Sequence, residues 1–442
     1  MGANKKKLSS FQIILIGFAV VILLGAILLA MPFSSATGQF TPFIDTFFTS
    51  TSAVCVTGLV VYDTATHWSI IGQIIILILI QVGGMGVVSV AAAFAILSGK
   101  KIGLFGKGAM QEAISAPTLG SIVPLTGFIL KGILIIELLG ALIMMPVFCS
   151  DFGAQGIWMA IFHSISAFCN AGFDLMGGVS GQFSSLTYFE SHPLINIVIM
   201  LLILIGGIGF LTWEDVVKHK FHFSKYRLQS KAVLIITAIL VVLPTLYFFF
   251  FEFWNMPLGD RILLSLFQAI TPRTAGFNTA DLTLITPTGL LIIIILMLIG
   301  GSSGSTAGGM KITTVAVLFS ATISVFGKKE NAEMLKRRVD DNTVKSALSI
   351  LMLYLTLFLL GSAVISTAEG LPMMTCMFET ASAIATVGLS LGITPSLGII
   401  SKIILIILMF IGRIGGLTMI YATFGASSKK VSKLPLDKIS VG

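Results

Sequence analysis

Four short segments of this chain are variants of one another. They are Val56-Thr57-Gly58, Asn170-Ala171-Gly172, Thr274-Ala275-Gly276 and Thr386-Val387-Gly388. Each glycine is followed by Leu or Phe, and the four glycines recur at intervals of about 110 residues. Four related loops from one chain are what a ring of backbone carbonyls around an axis requires, and such a ring can replace the hydration shell of a monovalent cation. The repeat therefore predicts an ion pathway as well as a fold.

Composition places the chain in a membrane. Of its 442 residues, 56% are hydrophobic and 10% are charged, whereas a soluble domain has about 25% charged residues. A hydrocarbon core of ~30 Å needs about 20 apolar residues to cross it. Runs of that length lie near 11–31, 69–98, 125–149, 193–213, 231–252, 287–325, 344–366 and 397–425. The sequence thus predicts an all-α polytopic membrane protein with eight spans.

The positive charges predict the orientation. Most of the 27 Lys and Arg residues fall in segments that alternate spanning places on one side, namely Lys5–Lys7, Lys100–Lys107, Lys131, Lys218–Lys231, Lys328–Lys345 and Lys429–Lys438. Because cytoplasmic loops carry an excess of Lys and Arg, both termini are expected in the cytoplasm. Anionic membrane lipid accounts for the net charge of +8, so nucleic acid is not expected as a partner.

Each repeat reads as a span, a short segment, a glycine loop and a second span. The short segment Ile44–Val54 of the first repeat is too short to cross a bilayer. Irregular backbone at membrane depth is tolerated only where protein or water surrounds it. One such loop alone favours an ordinary turn, but four in register favour membrane-helix/pore-loop/membrane-helix repeats in a pseudo-fourfold arrangement around one central pore. The expected repeats are 1–110, 111–225, 226–335 and 336–442, the last with a short cytoplasmic tail.

A glycine-rich run interrupts the apolar stretch 287–325. It reads Gly300-Gly301-Ser302-Ser303-Gly304-Ser305-Thr306-Ala307-Gly308-Gly309. Because each Gly in a helix costs about 1 kcal/mol relative to Ala, we expect two half-helices joined by a loop at membrane depth. The alternative is close helix packing through small residues.

Two basic residues lie in apolar stretches nearby. Lys311 ends the glycine-rich run and Arg413 lies inside the last span. Charge within a membrane is costly and usually functional, although Lys311 has the alternative of extending to the cytoplasmic interface.

Together with the four loops, Gly206–Phe210, Gly300–Lys311 and Ile411–Gly415 make the whole chain resemble a superfamily of potassium transporters that includes the Trk, Ktr and plant HKT proteins. The strongest resemblance is to the membrane subunit of bacterial Ktr systems (the KtrB/KtrD type). It implies a selectivity filter formed by the carbonyls of the four loops, and a gate formed by residues 300–309 with Lys311 and Arg413. Glycine at all four filter positions goes with potassium preference in this superfamily.

The resemblance also implies a transported ion, a membrane and partner subunits. It predicts K⁺ as the transported ion, Na⁺ as a co-ion or activator, and no organic cofactor in this chain. It predicts a homodimer in the lipid of the bacterial plasma membrane, paired with a cytosolic octameric ring of RCK subunits that binds ATP or ADP. The residues show no metal-binding or nucleophilic motif of an enzyme. A gradient-coupled secondary carrier remains the alternative, and it predicts two halves of opposite topology.

Overall fold

The long apolar stretches form four outer helices. In the computed structural model, which describes residues 9–86, 89, 90, 111 and 122–416, these helices are Ser10–Ala30, Ile122–Phe152, Leu228–Tyr247 and Asp341–Glu369. The third continues through a π-helical turn, Phe248–Glu252. Within the described part of the chain, these four are the single helices long and apolar enough to cross a membrane. The predicted all-α polytopic fold is confirmed.

Each outer helix is followed by a short pore helix. The four pore helices are Phe43–Cys55, Gln155–Phe168, Leu258–Ile270 and Met373–Ile384. Three of them begin directly after a proline, at Pro42, Pro257 and Pro372. Proline lacks the N–H that a helix start leaves unpaired, so it is well tolerated there. Helices of 12 to 14 residues are too short to span, and the prediction of re-entrant segments is confirmed.

The inner helices follow the glycine loops. They are Ile70–Met85, Pro193–Gly207, the pair Pro287–Leu298 and Ile312–Phe326, and Ile399–Ile414. The third is broken across the glycine-rich run, as predicted. The predicted continuous span 193–213 is wrong: the helix ends at Gly207, and Phe210–His219 turns away by 99°. Gly209 lies at this bend with φ +91°, a conformation that glycine adopts without steric cost.

Two other predicted inner spans extend beyond what the structure describes. The helices within 69–98 and 397–425 end at Met85 and Ile414, and each is followed by a glycine of positive φ, Gly86 and Gly415. Most of the remainder of these two stretches lies outside the described residues. So do the basic segments Lys5–Lys7, Lys100–Lys107 and Lys429–Lys438.

Glycine brings three inner helices against the carboxyl ends of their own pore helices. At each contact, a methyl group on the glycine would lie 2.0 or 2.1 Å from a pore-helix carbonyl oxygen. The pairs are Gly83 with Val54, Gly206 with Phe168 and Gly412 with Ile384. Since any side chain there would displace the backbone, these glycines determine how closely the inner helices approach the central axis.

Two further features complete the described fold. A two-stranded antiparallel hairpin, Glu333–Met334 with Arg337–Arg338, lies between the third and fourth repeats. The first and fourth repeats are joined by an ion pair between Asp45 of the first pore helix and Lys402 of the last inner helix, at 2.8 Å.

Candidate functional site

The four glycine loops share an unusual backbone. In each, the residue two positions before the glycine has positive φ: Val56 (57°), Asn170 (58°), Thr274 (74°) and Thr386 (51°). The glycines themselves also have positive φ, between 68° and 97°. The left-handed conformation is a steric outlier for valine and threonine. All four loops therefore repeat the same departure from ordinary backbone at the same two positions.

The loops close into a ring in chain order. A methyl group on Gly58 would lie 2.5 Å from the Ala171 carbonyl oxygen of the second loop. The same relation joins the remaining neighbours, with Gly172 facing Ala275, Gly276 facing Val387 and Gly388 facing Thr57. Each loop therefore contacts the next, and the fourth contacts the first. This closed contact sequence defines one axis with pseudo-fourfold symmetry.

The carbonyl oxygens of this ring have no hydrogen-bond donor among the described residues. None of those in residues 56–58, 170–172, 274–276 and 386–388 accepts a hydrogen bond from any residue that the structure describes. Unpaired buried backbone oxygens are rare because each costs free energy comparable to a lost hydrogen bond. The hydroxyls of Thr57 and Thr386 are likewise buried without a partner. The ring thus presents oxygen atoms suited to an alkali cation.

Serine side chains hold the loops from behind. The N–H of Gly58 donates to Ser52 Oγ (3.1 Å), and the N–H of Gly388 donates to Ser382 Oγ (2.9 Å). In the second loop, the Ser166 hydroxyl donates to the Phe173 carbonyl (2.7 Å). Sequence reasoning did not assign these serines a role, although the Ser/Thr-rich run before each glycine was their signal. They anchor the loops without using the ring carbonyls.

One direct side-chain hydrogen bond links neighbouring loops. The amide of Asn170 bonds the hydroxyl of Thr274 at 3.2 Å. Arg273, one residue earlier, is buried in the third loop, where one guanidinium nitrogen contacts Thr237 (3.3 Å) and its other two have no partner among the described residues. The ring is therefore symmetric in its backbone and asymmetric in its side chains.

A cavity of about 220 Å³ opens above the ring. All four ring glycines line it, together with residues that follow them in each loop. Its lining includes Asp63, Asp174 and Asp281 and no Lys, Arg or His. A concave site lined by one sign of charge raises the local concentration of counter-ions, so this cavity favours cations.

The glycine-rich run packs on the opposite side of the ring. A methyl group on Gly308 would lie 2.0 Å from Thr386 Oγ1, and one on Gly309 would lie 2.9 Å from the Ala385 carbonyl. The Thr306 hydroxyl donates to the Phe168 carbonyl at the end of the second pore helix (3.1 Å). These contacts reach residues before the ring glycines, whereas the cavity is lined by those glycines and residues after them.

Backbone hydrogen bonds tie the run to the inner helices. The N–H of Ser302 donates to the Gly207 carbonyl (2.9 Å), and that of Gly309 donates to Gly412 (3.2 Å). The run is therefore an ordered crossing between the second and fourth inner helices, and close helix packing alone does not describe it.

Both basic side chains singled out in the sequence, Lys311 and Arg413, contact this run. Arg413 donates to the carbonyl of Thr306 and, on the first inner helix, to those of Gly83 (2.5 Å) and Gly84 (3.1 Å). The Lys311 ammonium folds back to the Ala307 carbonyl (2.7 Å). Neither forms an ion pair with an acid among the described residues. Two positive charges are thus held beneath the ring by backbone oxygens.

Comparisons with known proteins agree with this architecture. Residues 6–432 match the family described as TrkH, cation transport protein. The chain is 37% identical to the potassium/sodium uptake protein NtpJ of Enterococcus hirae, over 99% of this chain and 98% of that protein. It is 36% identical to the Ktr system potassium uptake protein B of Bacillus subtilis, over 98% and 96%.

The fold matches a solved structure. The potassium transporter TrkH from Vibrio parahaemolyticus superposes with a TM-score of 0.74 at 19% identity, covering 96% of this chain and 86% of that one. The family match spans nearly the whole chain, and its members are transporters rather than enzymes. This chain, with its ring of four glycine loops, belongs to the TrkH family of cation transport proteins.

Proposed function

We propose that this protein takes up K⁺ across the bacterial plasma membrane through the ring of backbone carbonyls. The observation that carries the proposal is a closed ring of carbonyl oxygens that accept no hydrogen bond from the residues described in the structure. Oxygens already bonded within the protein cannot replace water around an ion, whereas these can. The potassium uptake named for the two relatives supports K⁺ as the cargo.

Selectivity then depends on the four loops 56–58, 170–172, 274–276 and 386–388. Each contributes one glycine, so the ring stacks fewer carbonyl layers than a filter with two glycines per loop. We expect K⁺ preference with looser exclusion of Na⁺ than in a tetrameric potassium channel. Na⁺ then acts as a co-ion or activator.

The gate in this proposal is the glycine-rich run 300–309 with Lys311 and Arg413. The run packs against residues on the side of the ring opposite the cavity, where an obstacle would stop an ion that had left the carbonyls. The charges on Lys311 and Arg413 add an electrostatic barrier to a cation. Opening requires the run to move away from Thr386, which its backbone bonds to Gly207 and Gly412 oppose.

Orientation and partners complete the proposal. The cavity faces the exterior and both termini face the cytoplasm, in line with the positive charges of the segments 218–231 and 328–345. These basic segments, including the hairpin Glu333–Met334 with Arg337–Arg338, suit contact with an octameric RCK ring that binds ATP or ADP, paired with a homodimer of this subunit.

A pore fits the described repeats better than a carrier of inverted halves does. An inverted-repeat carrier requires two halves of opposite topology. All four repeats here share the order outer helix, pore helix, glycine loop and inner helix.

The test is K⁺ uptake by a bacterium that lacks its own uptake systems, with and without an RCK partner. Gly58→Ser places a side chain against the Ala171 carbonyl in a backbone of φ +92°, and we expect it to weaken growth at low K⁺ and lower the K⁺/Na⁺ ratio. Gly178→Ser is the matched control, because nothing lies within 4 Å of a methyl group there. Uptake that is unchanged in Gly58→Ser would contradict the assignment of the ring as the ion-binding site.

A further inference from the structure

The residue two positions after each ring glycine forms a second layer at the mouth of the cavity. We call these four positions the outer collar: Val60, Asp174, Asn278 and Ser390. All four line the cavity, as expected for equivalent positions of four related loops. One of the four carries a carboxylate. The collar is therefore charged on the side of the second repeat.

Asp174 is the least committed of the three carboxylates in the cavity. Asp63 accepts hydrogen bonds from the N–H groups of Ala65, Thr66 and Phe183. Asp281 caps a short turn by accepting from the N–H and hydroxyl of Thr283.

Asp174 accepts one bond, from the Met176 N–H to Oδ1 (2.9 Å). Its Oδ2, like that of Asp281, has no partner among the described residues, but Asp174 alone of the three lies at a collar position, and it is half-buried whereas Asp281 is exposed.

We propose that Asp174 binds the incoming monovalent alkali cation at the outer collar and so sets the apparent affinity of uptake. This inference rests on the proposed pore. A carboxylate oxygen without a protein partner is a hard ligand that can replace one water of a partly hydrated ion. The ion can then pass from the collar to the neighbouring ring carbonyls.

The experiment measures initial K⁺ uptake against K⁺ concentration at pH 8, with surface expression quantified. Asp174→Asn keeps an oxygen for the Met176 N–H and removes the charge. We expect its KM at pH 8 to rise about tenfold with Vmax within about twofold, at the lower end of what local counter-ion enrichment in a charged cleft produces. Glu190→Gln, on an exposed acid, is the control that keeps wild-type values.

A second variant keeps the test decisive even if Asp174→Asn folds poorly. Val60→Asp in the Asp174→Asn background places a carboxylate at the equivalent collar position, and we expect it to restore a low KM. Unchanged KM in Asp174→Asn overturns the role of Asp174 while leaving the pore intact. Wild-type uptake that is absent or indifferent to Gly58→Ser counts against the pore itself, and with it against this inference.

Discussion

At the scale of single residues, the site is built from backbone rather than from side chains. The ring carbonyls accept no hydrogen bond within the described part of the chain, and Ser52, Ser166 and Ser382 hold three of the four loops through other backbone groups. Valine and threonine occupy left-handed conformations there, at a cost of order 1–3 kcal/mol each. The serine bonds offset this cost, so they should be needed for the geometry of the ring.

Ser382→Ala tests this requirement. The change leaves the Gly388 N–H unpaired in a buried loop, which costs about 1–3 kcal/mol, and the loop gains freedom to relax. We expect a lower Tm in detergent and a lower K⁺/Na⁺ uptake ratio. Ser396→Ala, at an exposed turn, should change neither. A variant with reduced Tm and unaltered selectivity would show that the serine stabilises the fold without shaping the ring.

Arg413 offers a second prediction at this scale, because its charge and its hydrogen bonds can be separated. Arg413→Gln removes the charge, and we expect basal uptake to rise roughly tenfold, since one unit charge changes a nearby cation's energy by about 1–4 kcal/mol. Arg413→Lys keeps the charge but cannot bond Thr306 and Gly83 in the same way. If the basal uptake of Arg413→Lys equals that of the wild type, Arg413 acts as an electrostatic barrier. If it equals that of Arg413→Gln, the hydrogen bonds of Arg413 hold the run in place. Equal uptake in all three proteins would exclude both roles.

At the scale of elements, the third inner helix differs from the other three. It is interrupted by the run 300–309, which contacts the pore-helix ends and two inner helices. A helix would pair its own backbone groups, but this run pairs them with neighbouring elements. The run can therefore move once those few hydrogen bonds break, whereas a helix would have to break its own internal hydrogen bonds.

Gly308→Ala tests whether the run obstructs the path. The added methyl group would lie 2.0 Å from Thr386 Oγ1, so the run must shift away from the ring. We expect several-fold higher uptake without an RCK partner, and shortening the run should act in the same direction. Gly127→Ala is the control, since its methyl group meets nothing within 4 Å in the second outer helix. Lower stability with unchanged uptake would support close packing as the role of the run.

At the scale of the whole molecule, four repeats must close into a ring although the chain has two ends. The ion pair between Asp45 and Lys402 joins the first repeat to the fourth, and both side chains are about nine-tenths buried. The Tyr62 hydroxyl also donates to Asp45 (3.0 Å). Buried pairs are sensitive to removal of one partner, because the other charge is left uncompensated.

Lys402→Met should therefore lower the stability of the ring. We expect a loss of about 3–5 kcal/mol, seen as a lower Tm, and the double variant with Asp45→Asn should recover much of it. Lys329→Met, in the exposed pair with Glu333, should cost below about 1 kcal/mol. Additive losses in the double variant would show that Asp45 and Lys402 do not act as a pair.

The sequence by itself determined the class, the repeat and the positions of the glycine loops. Apolar runs at membrane length, glycine loops at regular intervals and one glycine-rich interruption are local patterns, and local patterns predict local structure. The pore helices and the break in the third inner helix followed from them. The bend at Gly209 did not, because Gly206–Phe210 remains apolar through the turn and apolarity alone does not distinguish a straight helix from a bent one.

Tertiary structure decided what the residues contact. Which carbonyls remain unpaired, how Gly58 meets the second loop, and that Arg413 reaches both Thr306 and Gly83 depend on residues far apart in the chain. No spacing in a single sequence encodes such distances. Composition also does not distinguish Asp63, Asp174 and Asp281, whereas folding gives Asp63 three backbone N–H bonds and Asp174 one. The physical reason is that hydrogen-bond pairing is settled only when the repeats pack together.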